Sequence, residues 1–466
     1  MTCTMVQQST PTGGCRVCGE AVQAPVCWHV DGLLLGIASA GLAIGAHRSA
    51  EMVVWSHCEA EGSQWEAKVR ILYIVHNTAW RGGGTFYRAL HLGRYMARRG
   101  HAVTLLATSE TEQLRFRSQR VEALRLVESP DLLRGSLRSG WDPWNTLRRV
   151  VWVGSRPFDL VHAFDSRPTV IYPALWARRR WQARLVMDWC DWFGRGGSVA
   201  ERPSWAVRHV LGPAETFYEE AFRTRADGST VINNQLRKRA VGLGVPEETI
   251  LRLPQGSDVE NIRPLDKAQA RQRLGLPQGR FIIGYLGQLF RSDARLLADA
   301  FSCLPRERCE CLLLLIGNRT AEVRSLVETP AAVLETGYVS ADALNQYLGA
   351  CDLFWLPMSD TLANRGRFPS KINDYIAAGR PTIATAVGDV VDLFDRHRVG
   401  WLARPDAEDI AQWTVVVKGD PATLQEMGHS ARETAQRYYA WETLVERLDR
   451  FYTSVMEGKL GHRPCR

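Results

Sequence analysis

The stretch that decides the fold is Arg365-Gly-Arg-Phe-Pro-Ser-Lys-Ile-Asn-Asp-Tyr-Ile-Ala-Ala-Gly-Arg-Pro-Thr-Ile-Ala-Thr385. It predicts a short helix that begins near Lys371, ends at Gly379 and cannot continue through Pro381, followed by a β-strand. The start of a helix gathers unpaired backbone N–H groups and binds phosphate readily. Asp374, one turn along, can accept hydrogen bonds from a ribose diol. The segment therefore fits a nucleotide diphosphate, although an ordinary βα unit with a solvated Asp has the same pattern.

Apolar runs separated by helical segments extend this β/α alternation over most of the chain. Runs such as Cys311–Ile316 are almost wholly apolar, which is typical of parallel strands covered on both faces. Two successive alternations predict an α/β protein with two Rossmann-like domains facing a cleft. The predicted strands are 69–75, 100–107, 158–164, 184–191, 229–234, 281–287, 311–317, 333–339, 353–356 and 382–385.

The length of 466 residues is sufficient for two domains with separate cores. We predict an N-terminal extension over residues 1–66, an N-terminal Rossmann-like domain over 67–265 and a C-terminal one over 266–440. A final helix and tail, 441–466, would cross back onto the N-terminal domain. Pro264 and Gly275-Leu-Pro277 mark the boundary between the two domains.

The N-terminal extension allows several interpretations. Cys15, Cys18, Cys27 and His29 have some of the features of a structural zinc site, but their spacing is short and irregular. A poorly ordered extension, or a true start near Met52, fits the same residues. Elsewhere we assign no metal, since no Asp-x-Asp pair precedes the nucleotide elements.

Net charge is +8, with arginine clusters near residues 94–99, 178–184 and 237–239. An anionic membrane surface, an acidic substrate or simply solvated helix faces would account for them. Nucleic acid is disfavoured because no zinc-finger pair, RNP motif or basic zipper is present. The longest near-apolar run, 32–46, is too short to span a bilayer. We therefore expect a cytoplasmic protein, with peripheral attachment to the inner membrane face as an alternative.

Ordered landmarks along residues 69–455 resemble glycosyltransferase family 4, which has the GT-B fold. In that family the signature is Glu, seven residues, Glu and an Ala-Ala-Gly-x-Pro tail. Asp374 occupies the second acidic position, but Gly366 occupies the first. The landmarks are Gly82-Gly-Gly84, Arg99-Gly-His-Ala-Val-Thr104, Leu253-Pro-Gln-Gly-Ser-Asp258, Leu314-Leu-Ile-Gly317 with Gly337-Tyr-Val339, Cys351-Asp-Leu-Phe-Trp-Leu-Pro357, and the signature itself.

A second departure concerns the diphosphate. The family usually places an Arg and a Lys after the first strand of the donor domain, where this chain has Gln288 and Asp293. A leaving diphosphate needs cationic neutralisation. The nearby cations Arg291, Arg365, Arg367 and Lys371 are candidates to supply it from another direction, unless they are solvated loop charges.

In the N-terminal half, Asp191 falls near the position where the family often carries a His that faces the transferred sugar. A carboxylate there would orient a sugar hydroxyl or stabilise a cation-like anomeric carbon. His162, at the end of a strand, would face the acceptor or serve as a structural histidine. Trp189, Trp192 and Phe193 would form a sugar platform or pack as core.

The resemblance implies a retaining glycosyltransferase of the hexosyltransferase type (EC 2.4), with a nucleotide-diphosphate sugar as co-substrate and no further cofactor. Its acceptor would be a glycan, a lipid-linked molecule or a small molecule. Two alternatives stay open: a non-catalytic binding protein, and a sugar-nucleotide epimerase on the same fold. The predicted catalytic residues are Asp191 and His162; the predicted donor-binding residues are Gly83, Gly84, Gly287, Gln288, Arg291, Gly317, Tyr338, Val339, Arg365, Arg367, Ser370, Lys371 and Asp374.

Overall fold

The computed structural model describes residues 69–460, apart from 80–82, 133–139, 201, 203–204, 206, 306–309 and 318–320. The cysteine pattern of the N-terminal extension, Met52 and the apolar run 32–46 lie outside the described residues, as does Gly82. The described residues all belong to one compact unit, Gln64–Arg466.

Two sheets organise this unit, and their strands follow the predicted alternation. All ten predicted strands are present, with ends that differ by a few residues. The strands are β1 Arg70–Thr78, β2 Ala102–Thr108, β3 Arg117–Val121, β4 Leu124–Ser129, β5 Leu160–Phe164, β6 Arg184–Trp189, β7 Gly228–Val231, β8 Ile250–Arg252, β9 Phe281–Leu286, β10 Cys311–Ile316, β11 Val333–Glu335, β12 Leu353–Leu356, β13 Thr382–Thr385 and β14 Gly400–Ala403.

The first sheet has eight strands in the order β3-β4-β2-β1-β5-β6-β7-β8. All neighbours pair in parallel except β3 and β4, which form an antiparallel edge. The second sheet has six strands in the order β11-β10-β9-β12-β13-β14, all parallel. In both sheets the order reverses beside the first strand, and α/β proteins bind ligands at such points, outside the carboxyl ends of the strands.

Helices cover these sheets on both faces. None of the helices in the described part of the chain combines the length and the apolar character that a membrane-spanning segment requires. The α-helices are α1 Gly84–Arg98, α2 Pro143–Gly154, α3 Pro168–Trp181, α4 Gly212–Ala221, α5 Asn234–Gly242, α6 Lys267–Leu274, α7 Arg291–Ser302, α8 Ala321–Leu326, α9 Ala341–Ala350, α10 Leu362–Arg365, α11 Lys371–Ala377, α12 Val390–Arg396, α13 Ala407–Lys418, α14 Pro421–Thr434 and α15 Trp441–Met456; Val207–Leu211 and Ala435–Tyr439 are π-helical.

The last helix, α15, packs on the first sheet rather than the second. Its apolar face joins the core that α1 and β1 form, and Trp441 stacks on His91 with ring centroids 5.1 Å apart. A β-carbon on Gly256 would lie 2.3 Å from the Trp441 ring, so only glycine allows this approach. The tail thus ties the two halves of the chain together, while the exact domain boundary stays a prediction.

Four strands were not predicted: β3, β4, β8 and β14. β3 has the sequence Arg-Ser-Gln-Arg-Val and is exposed at the sheet edge, so it carries no apolar pattern. β14 has only four residues and is half-buried along most of its length. Their strand conformation comes from pairing with β4 and with β13, which no local signal reveals.

Candidate functional site

A cleft of about 790 Å³ lies where the carboxyl ends of both sheets meet. One wall comes from the first sheet and includes Gly83, Gly84 and Asp191. The other comes from the second sheet and includes Lys371 and Asp374. The two walls thus combine segments that are nearly 300 residues apart in the chain.

The second wall is built on the stretch 365–385. Helix α11 begins at Lys371 and is followed by Gly379, whose φ of +65° ends it as predicted. The N–H groups of Ile372 and Asn373 already donate to the carbonyls of Pro369 and Ser370. The helix start therefore offers an anion fewer donors than a regular N-terminus would, and side-chain charges matter more.

Lys371 supplies one of those charges. Its Nζ donates to the Gln288 carbonyl at 3.0 Å and lies 4.0 Å above the Tyr285 ring, in contact with its hydroxyl. Burial, reinforced by the neighbouring Arg367, lowers the pKa of Lys371 to about 7. An incoming anion would stabilise the charged form.

Arg367 supplies the second charge, and Asp293 fixes it. The guanidinium donates to Asp293 Oδ2 at 2.8 Å and stacks on the Phe290 ring at 4.1 Å. The buried Asp293 also accepts from the Ser359 N–H at 2.8 Å and from Asn364 at 3.0 Å. Asp293, which stands where family 4 usually has a Lys, thus positions an arginine from the signature.

Asp374 lies one turn into α11, half-buried in the cleft. Burial raises its pKa to about 7, and the nearby Asp258 acts in the same direction, while Lys371 opposes both. A carboxylate in this position can accept hydrogen bonds from a vicinal diol.

The first wall rests on a buried ion pair. Arg88 of α1 makes a bidentate pair with Asp188 of β6, with two N–O distances of 3.0 Å. The same guanidinium donates to the carbonyls of Leu253 and Pro254 at 2.8 and 3.0 Å. It therefore fixes α1, β6 and the turn after β8 together at the base of the cleft.

Asp191, two residues past β6, lines the cleft and is half-buried. Burial raises its pKa to about 6, and Arg367 of the opposite wall counteracts this. The loop that follows is held by Glu219, which accepts from the N–H groups of Phe193 and Gly194 at 2.8 and 2.9 Å.

Trp192 occupies the space next to Gly366, the first acidic position of the signature. A β-carbon on Gly366 would lie 2.6 Å from the Trp192 β-carbon. Arg239 covers the other side of the indole at 4.3 Å, and the indole N–H donates to the Arg195 carbonyl at 2.8 Å. A glutamate side chain cannot be accommodated here without moving this tryptophan.

Family models match both halves of the chain. A model described as "Glycosyl transferase 4-like domain" matches residues 83–256, and one described as "Glycosyl transferases group 1" matches residues 280–417. The chain belongs to glycosyltransferase family 4.

The curated relatives of this chain are distant in sequence. A D-inositol 3-phosphate glycosyltransferase from Catenulispora acidiphila is 25% identical over 53% of this chain and 62% of its own length. A GDP-mannose-dependent alpha-mannosyltransferase from Mycolicibacterium smegmatis is 26% identical over 60% of this chain and 67% of its own. The match to the Catenulispora relative thus spans less than two thirds of that protein.

Solved structures confirm the GT-B fold. Sucrose-phosphate synthase from Thermosynechococcus elongatus superposes with a TM-score of 0.68 at 20% identity, covering 84% of this chain and all of that one. Anabaena HepE, solved in complex with UDP and glucose, gives 0.60 at 16% identity, covering 83% of this chain and all of its own. These likenesses concern the fold alone.

Most of the predicted site residues lie in the cleft. They are Gly83, Gly84, Asp191, Gly287, Gln288, Arg367, Ser370, Lys371 and Asp374. Gly317 adjoins it, because a β-carbon there would lie 3.4 Å from Gly287 Cα. Tyr338 is 80% exposed and Val339 is half-buried; both follow β11, outside the cleft lining.

Three predicted residues are placed elsewhere. Arg291 is exposed at the start of α7, and Arg365 is exposed and paired with Asp360 at 2.6 Å. The prediction that His162 faces the acceptor is wrong, because its side chain is fully buried. Its Nδ1 lies 2.6 Å from the Tyr452 hydroxyl and its Nε2 lies 3.0 Å from the Thr230 hydroxyl. Burial lowers its pKa to about 3, so it is a neutral structural histidine.

Several cleft residues were missed by sequence reasoning. Arg88 is the most important, and its only signal is an arginine on the apolar face of an amphipathic helix. Its acidic partner lies 100 residues away, so the pairing is invisible locally. Other missed residues are Ser198, Arg202, Gln255, Tyr285 and Phe290.

Among the described residues, no group of three or more His, Cys, Asp or Glu is arranged to hold a metal ion.

Proposed function

We propose that this protein transfers a glycosyl group, with retention, from a nucleotide-diphosphate sugar to a glycan, lipid-linked or small-molecule acceptor. The observation that carries the proposal is the grouping of Arg367, Lys371 and Asp374 on one wall of a cleft whose other wall begins with Gly83 and Gly84. Membership of family 4, whose relatives are named as glycosyltransferases, supports the same activity.

The two cations would neutralise the donor diphosphate. Arg367 and Lys371 both line the cleft. Arg367 is held by the Asp293 carboxylate at 2.8 Å, whereas Lys371 Nζ contacts the Gln288 carbonyl and the Tyr285 hydroxyl. Gly83 adopts a φ of +76° before α1, which lets its backbone approach a phosphate closely. Charge that develops on the leaving group would then meet fixed cations rather than water.

Asp374 would bind the ribose hydroxyls, and the sugar would point towards Asp191. In the transfer, the bond from the anomeric carbon to the diphosphate oxygen breaks and its electron pair stays on that oxygen. The acceptor oxygen bonds to the same face of that carbon, and its proton passes to the leaving diphosphate. Asp191 would orient a sugar hydroxyl or stabilise positive charge at the anomeric carbon. His162 takes no part because it is enclosed in the first sheet.

The departures from the family pattern favour a reorganised site over a degenerate one. The Gln288 carbonyl holds Lys371, and the Asp293 carboxylate holds Arg367. Trp192 fills the space beside Gly366. Position 288 contributes only its backbone carbonyl, whereas Asp293 acts through its side chain and Gly366 leaves the space that Trp192 occupies. Two of the three replaced residues therefore have specific roles in the cleft wall, which supports an enzyme over a non-catalytic binding protein.

The first experiment is calorimetric titration with UDP-, GDP- and dTDP-sugars, on the wild-type protein and on Asp374→Ala. We expect one donor to bind with micromolar affinity and the variant to lose about tenfold or more, since hydrogen bonds to charged groups contribute about 1.5–3 kcal/mol. Asp395→Ala, an exposed carboxylate on α12, is the matched control.

Three outcomes would count against the proposal. Binding of no donor would favour a non-catalytic protein. Equal loss in the control would remove Asp374 from the site. Turnover of a donor without any acceptor would favour an epimerase. Retention is tested separately by the anomeric configuration of the product, determined by NMR.

A further inference from the structure

Helices next to the first sheet expose large apolar side chains to solvent. They lie on α2, α3 and the segment 205–221 that leads into and includes α4. Soluble monomers rarely expose a contiguous group of such side chains without a partner. The exposed fractions are 63% for Val151, 41% for Tyr172, 41% for Trp176, 65% for Trp205, 66% for Val210 and 58% for Phe217.

Contacts join α2, α3 and α4, and Trp205 and Val210 lie on the segment that continues into α4. Trp176 of α3 lies against Gly154 of α2, with its indole nitrogen 2.7 Å from where a β-carbon would be. One turn earlier on α3, the Tyr172 hydroxyl bonds to that of Tyr218 of α4 at 2.8 Å. Tyr218 in turn contacts the Phe217 ring, with centroids 5.4 Å apart. We call Tyr172, Trp176, Trp205, Val210 and Phe217 the aromatic surface.

Two exposed arginines lie next to the aromatic surface, and the acids of the described residues around it are paired. Helices α2 and α3 contain no Asp or Glu, while Arg179 and Arg180 are exposed on the last turn of α3. In the described part of 202–221 the acids are Glu215, Glu219 and Glu220, and each pairs with arginine: Glu215 with Arg167 and Arg202, the other two with Arg239. The surface is therefore apolar, with positive charge beside it at the end of α3.

We propose that the aromatic surface binds an anionic lipid bilayer. Tryptophan and tyrosine prefer the boundary between head groups and acyl chains, because their rings are apolar and their N–H or O–H groups need water. Arginines beside them would contact lipid phosphates, and each basic residue near an anionic surface adds to the attraction. The combination of aromatic and basic residues on helices that do not span the membrane is typical of interfacial binding.

The position of this surface also connects it to the cleft. Ser198 and Arg202 line the cleft, and Trp205 follows three residues later, which spans at most about 10 Å of chain. A bilayer bound at Trp205 would thus lie beside the first wall, where an acceptor with a lipid anchor would enter. This connection rests on the proposed function, whereas bilayer binding itself does not.

The test is co-sedimentation of the full-length protein with two kinds of vesicle. One contains phosphatidylcholine alone, and the other contains phosphatidylcholine with phosphatidylglycerol. We expect the wild-type protein to bind the anionic vesicles at least about tenfold more strongly at low salt, and to lose most of this preference at high salt.

Two pairs of variants locate the binding. Trp205→Ser/Phe217→Ser should weaken binding to anionic vesicles about tenfold or more, whereas Val416→Ser/Tyr438→Ser, at two exposed positions of the second half, should not. Arg179→Glu/Arg180→Glu should remove the salt-sensitive part. Arg273→Glu/Arg295→Glu changes net charge equally at exposed sites elsewhere and should leave it intact.

Failure of wild-type binding at low salt would overturn the proposal, as would equal weakening by test and control variants. So would reversible self-association in sedimentation velocity that Trp205→Ser/Phe217→Ser abolishes, since the surface would then bind a second copy of the chain. Circular dichroism and donor titration on every variant separate these outcomes from misfolding and from failure of the proposed transfer activity.

Discussion

The two walls of the cleft are built in different ways. The second wall comes mainly from one segment, 365–385, together with the loop that follows β9. The first wall depends on the Arg88–Asp188 pair, which joins residues 100 apart and is buried at the base of the cleft. A wall made from contiguous residues can be recognised from its motif, whereas one held by a long-range ion pair becomes visible only in the folded protein.

Removing the buried ion pair should have the largest effect. Arg88→Met leaves Asp188 as an uncompensated buried charge, which costs about 3–5 kcal/mol in unfolding free energy. Urea unfolding followed by circular dichroism measures this. Arg99→Met, which breaks an exposed pair with Asp449, is the control and should change stability far less. Equal effects would mean that Arg88 is not the residue that holds the first wall.

Removing a cation from the second wall should weaken donor binding, and Arg367→Gln should also lower stability because it leaves the buried Asp293 carboxylate without its ion-pair partner. Lys371→Gln and Arg367→Gln should each weaken donor binding about tenfold to a hundredfold, because each loses a charge-assisted contact with the diphosphate. Arg365→Gln is the matched control, since Arg365 is exposed and paired outside the cleft. Calorimetry measures the donor affinity of each variant. If Arg365→Gln weakened donor binding as much as the other two variants, the placement of Arg365 outside the donor site would be contradicted.

Restoring the family's first acidic residue should disrupt the contact between the walls. Gly366 has a φ of −85°, which any residue can adopt, so only the steric contact with Trp192 opposes a side chain there. Gly366→Glu should cost about 1–3 kcal/mol of stability by overpacking against Trp192, and should lower transfer activity. Adding Trp192→Ala should recover part of the stability. A gain of activity with Gly366→Glu alone would instead indicate a degenerate site.

The smallest expected effect is a pH optimum for donor binding. Lys371 carries its charge below its pKa of about 7, so donor affinity should decline as pH rises through 7. Asp374 is ionised above its pKa of about 7, so affinity should also decline as pH falls through 7. Calorimetry over a pH series should give a maximum near 7, with slopes of at most about tenfold per pH unit on each side.

Two variants assign the two limbs of that profile. Lys371→Arg stays charged and should flatten the alkaline limb, because the arginine pKa lies far above this range. Asp374→Asn does not titrate and should flatten the acidic limb. A profile that both variants leave unchanged would assign the titration to other groups.

Much of the fold follows from the sequence, because parallel strands buried on both faces carry continuous apolar runs. Cys311–Ile316 is an example. Strands without such a run, such as Arg117–Val121, form through pairing alone and were missed. In the site, Lys371 and Asp374 were predicted because helix start, helix stop and acidic position lie within one short segment.

The sequence by itself determined the β/α alternation, the signature segment and the shortage of the usual diphosphate cations. Only the tertiary structure decided which of the candidate cations line the cleft, since Arg365 and Arg367 differ by two positions yet lie outside and inside it. It also decided that His162 is internal and that Trp192 stands beside Gly366. The reason is physical: burial and pairing depend on segments that are distant in sequence, and those set both the direction of a side chain and its charge.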